Sequence, residues 1–351
     1  MKWGGIGGRD EPFATRLSAA PLVPVAWAFG AGARLHRALH RRGVLREARL
    51  PCRVVCVGSL VAGGAGKTPA AAWLASRLAQ RGHRVAIASR GHGGRRRERV
   101  LVVSDGRRVH AGGDAAGDEA LVLAAHAPGV PVVVARNRAL AGLRALALFG
   151  AEILVLDDGF QHHRLRRNLD LVMLDAGLGL GNGFVLPRGP LREPVDAIRY
   201  AHAVGVVDGE LLPEEEAALA RWCRGALRFR ARRRPVSLRP LAGGPAQAPA
   251  VLRGACVGVV AGIAQPASLR RSVEALGASV VDVRSFPDHH RYRPGDLIGL
   301  ARAARTWITT EKDAAKILPG WVAGAEVLVL AIELEVVDER AVLDWIEARL
   351  R

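Results

Sequence analysis

RVVCVGSLVAGGAGKTPAAAWLASRLAQ, residues 53–80, decides the reading of the fold. It divides into three pieces. Arg53–Val57 is a short apolar run rich in β-branched residues, the pattern of a buried strand. Gly63-Gly64-Ala65-Gly66-Lys67-Thr68 is a glycine-rich turn. Pro69–Gln80 then sets Ala71, Leu74, Ala75 and Leu78 on one helical face. Strand, glycine turn and helix in this order are the required context for a phosphate-binding loop, the P-loop. Backbone N–H groups of such a turn face phosphate oxygens, and the helix N-terminus adds partial positive charge. The pattern assigns Lys67 to the β- and γ-phosphates of ATP and Thr68 to Mg²⁺. The usual motif has Gly five positions before Gly66, where Val61 stands, so the loop follows the GGxGK[ST] variant.

A loop of this kind needs an acid to hold its metal. Ile153-Leu154-Val155-Leu156-Asp157-Asp158 is an apolar strand ending in two acids, with Asp157 the expected Mg²⁺ partner and Asp158 assisting. Asp118-Glu119 opens a helix after Gly112-Gly113 and Gly117; alone that is ordinary, since acids favour helix N-termini. Gln161-His162-His163-Arg164 is a dense polar group just beyond the second acid pair. Adjacent histidines have the wrong spacing for a closed zinc site, and no cysteine joins them. Arg188 and Arg192 lie in a Gly/Pro-fixed loop and offer guanidinium forks for phosphate. Later, Phe286-Pro287-Asp288-His289-His290 and Thr309-Thr310-Glu311-Lys312-Asp313 each follow a strand.

The 351 residues carry a formal charge of +18, nearly all of it arginine. Lysine stands only at Lys2, Lys67, Lys312 and Lys316. In so arginine-biased a chain, a retained lysine marks a position that needs a compact ammonium. The charge points to an acidic partner: nucleic acid, anionic lipid or a phosphorylated substrate. Aromatic residues scarcely interleave the arginine runs, so no stacking platform for nucleic acid is expected. Cys52, Cys56, Cys223 and Cys256 show no CxxC spacing and read as reduced thiols.

Strands alternating with helices predict an α/β fold, a mostly parallel sheet covered on both faces, with ligands at the carboxyl ends of the strands. A P-loop core is expected over 51–228. An arginine-rich, partly extended linker is expected over 229–252, and a smaller α/β domain over 253–351. Hairpin strands are expected at Val100–Val103 and Arg107–His110, and helices at Gly295–Ala304 and Asp313–Leu318. Residues 1–50 differ. Leu17–Ala33 is uncharged, then Arg34–Arg42 is basic and amphipathic. The apolar run is short for a span and holds Pro21 and Pro24. Its basic cluster follows rather than precedes it, unlike a signal peptide. The segment reads as lying on or dipping into a membrane face, with Trp27 and Phe29 at the interface.

Taken together, VGSLVAGGAGKTP, SRGHGG, GDEA, LDDGFQHHRLRRNLDLV, GNGFVLPRGPLREP, FPDHHRY and TTEKDAAK resemble the tetraacyldisaccharide 4'-kinase family, the lipid A kinases of Gram-negative bacteria. The likeness runs from about Trp27 to Lys316. It implies transfer of the γ-phosphoryl group of ATP to the 4'-hydroxyl of a tetraacylated diglucosamine 1-phosphate, giving lipid IVA. It also implies a two-domain protein at the cytoplasmic face of the inner membrane, in contact with its lipid. Carried over by motif, Asp118 is the catalytic base and His289 its partner. Asp157 and Asp158 are the metal-side acids. Arg192, Glu119, Gln161 and His163 are substrate contacts. Where the family often has Asn, this chain has Ser59. Rival readings are a GGxGKT switch or partitioning ATPase, whose signature lysine position holds Ala62, and a nucleic-acid-stimulated ATPase.

Overall fold

The computed structural model describes residues 8, 9, 11–322 and 324–351. Residues 1–7 and 10 of the N-terminal segment, Lys2 among them, lie outside the described residues. The strands are β1 (Arg53–Gly58), β2 (Val85–Ser89), β3 (Val100–Ser104), β4 (Val132–Ala135), β5 (Ile153–Asp157), β6 (Leu169–Asp175), β7 (Ala203–Val207), β8 (Leu227–Pro240), β9 (Cys256–Ala261), β10 (Ser279–Ser285), β11 (Thr306–Thr310) and β12 (Glu326–Val336). They form one twelve-stranded sheet in the order β10-β9-β11-β12-β8-β7-β6-β1-β5-β2-β4-β3. Two neighbour pairs run antiparallel, β3 with β4 and β8 with β12. The other pairs are parallel, which is the mostly parallel α/β sheet the alternation predicts.

The helices are α1 (Phe13–Ser18), α2 (Leu22–Arg41), α3 (Lys67–Gln80), α4 (Gly113–Ala116), α5 (Asp118–His126), α6 (Arg138–Phe149), α7 (Pro213–Trp222), α8 (Pro266–Ala275), α9 (Leu300–Ala303), α10 (Glu311–Ala314) and α11 (Glu339–Leu350). Strand β1 shows why the centre of the sheet is apolar throughout. Val55 and Val57 face a core with Leu74 and Leu78 of α3, while Val54 and Cys56 face the opposite core with α6. A strand covered on both faces cannot alternate with polar residues. Order reversal at β5-β1-β6 opens a crevice beyond the carboxyl ends of β1 and β5, the usual ligand position in such sheets.

The first half of the 229–252 segment, as far as Pro240, is strand rather than linker. β8 runs parallel to β7 and antiparallel to β12, so it belongs to both halves of the sheet. Its burial alternates, with Phe229 and Ala231 inward and Arg228, Arg230 and Arg232 outward. α11, at the end of the 253–351 range, packs back on the first half. Val342, Leu343, Ile346 and Leu350 join Trp73 and Phe229 in one core. Three local expectations fail. Arg107–His110 contributes only an isolated bridge, Ser104 to Val109. Gly295–Ala304 is a 3-10 turn (Pro294–Leu297) and the one-turn α9, because Gly299 sits at φ +77° and interrupts the helix. The helix expected at Asp313–Leu318 forms earlier, as α10, where the Thr310 hydroxyl caps the Asp313 amide.

α2 has 20 residues, about 30 Å of helix. Ala26, Gly30, Arg37 and His40 bury one face. Val25, Trp27, Phe29 and Leu35 stay exposed. Among the described residues no helix is long and apolar enough to cross a membrane.

Candidate active site

The turn between β1 and α3 places Gly63 at φ +115° and Gly66 at φ +76°, conformations that cost a side chain strain. Gly66 is the N-cap of α3, so the amides of Lys67 and Thr68 begin the helix with no intrahelical acceptor. Gly64 is exposed, whereas Ala65, Gly66, Lys67 and Thr68 are buried. The Ser59 hydroxyl accepts from the Val61 amide at 3.0 Å, so this chain's serine braces the loop from below. Lys67 Nζ donates to the Gly63 carbonyl at 3.0 Å and lies 3.9 Å from Asp158 Oδ1.

Asp157 and Asp158 end β5 in contrasting states. Asp157 is 1% exposed. Its Oδ2 accepts from Ser89 Oγ at 3.3 Å and its Oδ1 has no partner among the described residues. Burial, with Glu119 and Asp158 nearby, pushes its carboxyl up to about 7. Asp158 adopts φ +50°. Both of its oxygens accept from Arg192 Nη1, at 2.7 and 2.8 Å. Burial alone would raise it; Lys67 and Arg192 outweigh burial and hold it down at about 2.

Across the crevice, α5 begins at Asp118 after Gly117, whose φ is +86° and whose added Cβ would lie 2.2 Å from the His92 carbonyl oxygen. Only glycine allows that approach of the Arg90–Gly94 loop. His289 Nδ1 meets Asp118 Oδ2 at 3.1 Å, and Lys316 Nζ meets the same oxygen at 3.2 Å. Beside them Lys312 Nζ donates to Glu119 Oε1 at 2.6 Å, and His126 Nε2 meets Glu311 Oε2 at 2.7 Å. Burial would raise Asp118, but His289, Lys316 and Lys312 hold it well below the usual carboxylate range. Its hydrogen bond raises His289 against the opposing effect of burial.

The expected residues therefore fall into two groups. Lys67, Asp157, Asp158, Arg192, Glu119, Asp118 and His289 surround the crevice. Gln161 donates to the Ser59 carbonyl at 3.0 Å, beneath the loop. His163 turns away, toward Glu193 at 3.2 Å and the histidines of α2. Three residues without an assigned role join the crevice: Lys312, Lys316 and Arg233. Lys316 is one of the four lysines, so its rarity was a usable signal. Arg233, inside the expected linker, donates from Nη2 to the Gly64 carbonyl at 2.7 Å and to Asp175 at 2.6 Å, and from Nη1 to Asp208 at 2.7 Å. Nothing local singled it out from the surrounding arginines.

A glycine cradle, a lysine, an orphaned buried carboxylate and a braced aspartate on a parallel sheet are the equipment of a kinase. The model of the family described as Tetraacyldisaccharide-1-P 4'-kinase matches residues 18–351. The tetraacyldisaccharide 4'-kinase of Anaeromyxobacter dehalogenans strain 2CP-C is 43% identical over 339 residues, 93% of this chain and 89% of that one. That of Syntrophus aciditrophicus is 37% identical over 358 residues, 97% and 94% of the two chains. The crystal structure of LpxK from Aquifex aeolicus in complex with ATP superposes with a TM-score of 0.74 at 28% identity, over 95% of this chain and 99% of that one. The chain belongs to the tetraacyldisaccharide-1-phosphate 4'-kinase family.

Proposed function

We propose that this chain transfers the γ-phosphoryl group of ATP to the 4'-hydroxyl of tetraacyldisaccharide 1-phosphate, the step that gives lipid IVA, with Asp118 as the base. The contact of Asp118 with His289, brought from opposite halves of the chain to the rim of the glycine-rich loop, carries this reading. A sugar hydroxyl is a weak nucleophile whose proton must leave as the new P–O bond forms, and a carboxylate within hydrogen-bond reach takes it. Asp118 stays ionised at neutral pH, ready to accept. His289 and Lys316 orient it. Gly63–Thr68 form the P-loop, and Lys67 turns from the Gly63 carbonyl to the β- and γ-phosphates.

The donors at the loop fit Mg²⁺: a hydroxyl and carboxylates are the hard oxygens it prefers, and Asp157 Oδ1 is buried with no donor. Thr68 and Asp157 would hold the ion, with Asp158 beside them already bound by Arg192. Bound there, Mg²⁺ neutralises phosphate charge. Glu119 and Arg192, at the crevice, are assigned to the acceptor; Gln161, bonded to the Ser59 carbonyl, and His163, turned to Glu193, do not face it in this structure.

The two halves, 51–228 and 253–351, act as domains that close on each other, which excludes water until the acceptor is in place. α2, with Trp27 and Phe29 exposed, rests on the cytoplasmic face of the inner membrane, where the acyl chains remain. The test is incubation with γ-labelled ATP and tetraacyldisaccharide 1-phosphate in detergent micelles. Label enters the lipid with wild type, and Lys67→Ala lowers the rate by on the order of 10²–10³. Label that appears only as free phosphate, with or without acceptor, overturns the proposal in favour of a plain ATPase.

A further inference from the structure

A cleft of about 520 Å³ opens where the C-terminal end of α2 meets the segments around β6 and β7, away from the glycine-rich loop. Five arginines line it, against two acids, Glu47 and Asp170. Several of these arginines are already engaged. Arg37 pairs with Glu193 and lies over the Phe160 and Tyr200 rings. Arg167 pairs with Asp170 at 2.7 Å, and Arg199 with Asp196 at 2.7 Å. Arg41 and Arg166 have no acidic partner among the described residues, though Arg41 stacks over Tyr200 at 4.5 Å. His40 at the same cleft is 4% exposed, and neither ring nitrogen has a hydrogen-bond partner among the described residues. A buried imidazole with both nitrogens unsatisfied, beside unpaired guanidinium groups, is an incomplete hydrogen-bond set.

What completes it is an anion. The end of α2 does not oppose one strongly, because the amides of Arg42, Gly43 and Val44 bond its last carbonyls. The neighbourhood says what the anion is attached to. The same helix exposes Val25, Trp27 and Phe29 toward its other end and Leu35 nearer the cleft. One wall of the cleft is His163, which reaches Glu193, the residue after the Arg192 that grips Asp158.

We propose that this cleft binds a lipid-borne phosphate, held by Arg41, Arg166 and His40. Two lipids carry that chemistry: the acceptor, through its 1-phosphate, and an anionic phospholipid of the bilayer, through its headgroup. The acceptor arm rests on the function proposed above; the phospholipid arm does not. Filling the cleft gives the imidazole N–H an acceptor, pairs the free guanidinium groups and sets a lipid beside α2 with its tails along the apolar side.

The test compares wild type with Arg41→Gln/Arg166→Gln, and with Arg302→Gln/Arg340→Gln as a control of equal charge loss at exposed positions elsewhere. In micelles, KM is measured for tetraacyldisaccharide with and without its 1-phosphate. Separately, binding to phosphatidylglycerol and to phosphatidylcholine vesicles is measured by sedimentation. If the cleft holds the acceptor, the first variant raises KM for the phosphorylated acceptor at least about tenfold, with kcat and the KM of the dephosphorylated acceptor little changed. If it holds a phospholipid, the KM values stay and binding to phosphatidylglycerol vesicles alone falls, by a similar factor. An equal effect in the control variant overturns the proposal, as does an unchanged KM together with unchanged vesicle binding. Absence of label from both acceptors would overturn the function instead, and the vesicle measurement would still decide the cleft.

Discussion

Four non-glycine residues adopt positive φ among the described residues, and three of them serve the crevice: Asp158, His289 and Asp208. Such conformations cost of order 1–3 kcal/mol each and persist where surroundings fix them. His289 is fixed by its contact with Asp118, and this pair yields a sharp prediction. Asp118→Asn keeps size and hydrogen bonding but loses basicity, so kcat falls by on the order of 10²–10⁴. His289→Ala costs less. Because the two act as one unit, the double variant is barely worse than Asp118→Asn; losses that multiply would show independent roles. The pH profile follows from the shifts. Asp118 is depressed, so it remains the base across the neutral range. His289 is raised above its ordinary 6.5 by Asp118, with Asp288 and Glu119 adding. The imidazolium–carboxylate contact is therefore complete below 6.5 and is lost as pH climbs through the raised value. kcat/KM measured from pH 6 to 9 falls on this alkaline limb, and His289→Ala lacks the limb. Activity that instead rises with deprotonation of His289 would make the imidazole the base.

Elements differ in how much of themselves the sequence discloses. β1, α3 and β5 were legible because an apolar run, a glycine turn and an acid-ended strand are local patterns. β8 was not, although LRFRARRR alternates with period two. Arginine at every second position reads as a charge run until a partner supplies the acids, and β12 supplies them: Glu335 pairs with Arg232 at 2.8 Å and Glu333 with Arg234 at 3.5 Å. Arg233 was hidden in the same run. It links three acceptors through one planar fork, which lysine cannot reproduce. Arg233→Ala is expected to raise KM for ATP about tenfold, the loss of one charge-assisted bond to the loop, with kcat changed less. Arg233→Lys recovers part of that, and a KM equal to wild type in Arg233→Ala would show the contact to be idle. α2 carries a separate expectation. Replacing Trp27 and Phe29 by Ser removes two exposed aromatic anchors and shifts the protein from the membrane fraction toward the soluble one; unchanged fractionation would move the anchoring to the arginine surface.

At the scale of the whole chain, the ion pairs that join the halves over the crevice include residues of the proposed site. Asp118 meets His289 and Lys316, Glu119 meets Lys312, and His126 meets Glu311. No local pattern could reveal these pairings, since each spans more than 170 residues; only the retention of Lys312 and Lys316 in an arginine-rich chain hinted at them. If the halves close as proposed, these pairs couple closure to the charge state of the crevice, and the Glu119–Lys312 pair tests that coupling. The two side chains are 18% and 29% exposed. Lys312→Met leaves Glu119 without its cation, beside Asp157 and Asp158. Removing one partner of a fully buried pair costs about 3–5 kcal/mol, so this half-screened pair is expected to cost roughly 1–3 kcal/mol. Glu119→Gln in the same chain removes the stranded charge and restores most of the loss. Thermal unfolding of the two single variants and the double variant gives the coupling directly. Stability that falls in Lys312→Met and recovers in the double, while acceptor phosphorylation stays low in both, would separate the pair's grip on closure from Glu119's part at the acceptor. Additive losses in stability would mean that Glu119 and Lys312 touch without holding the halves together.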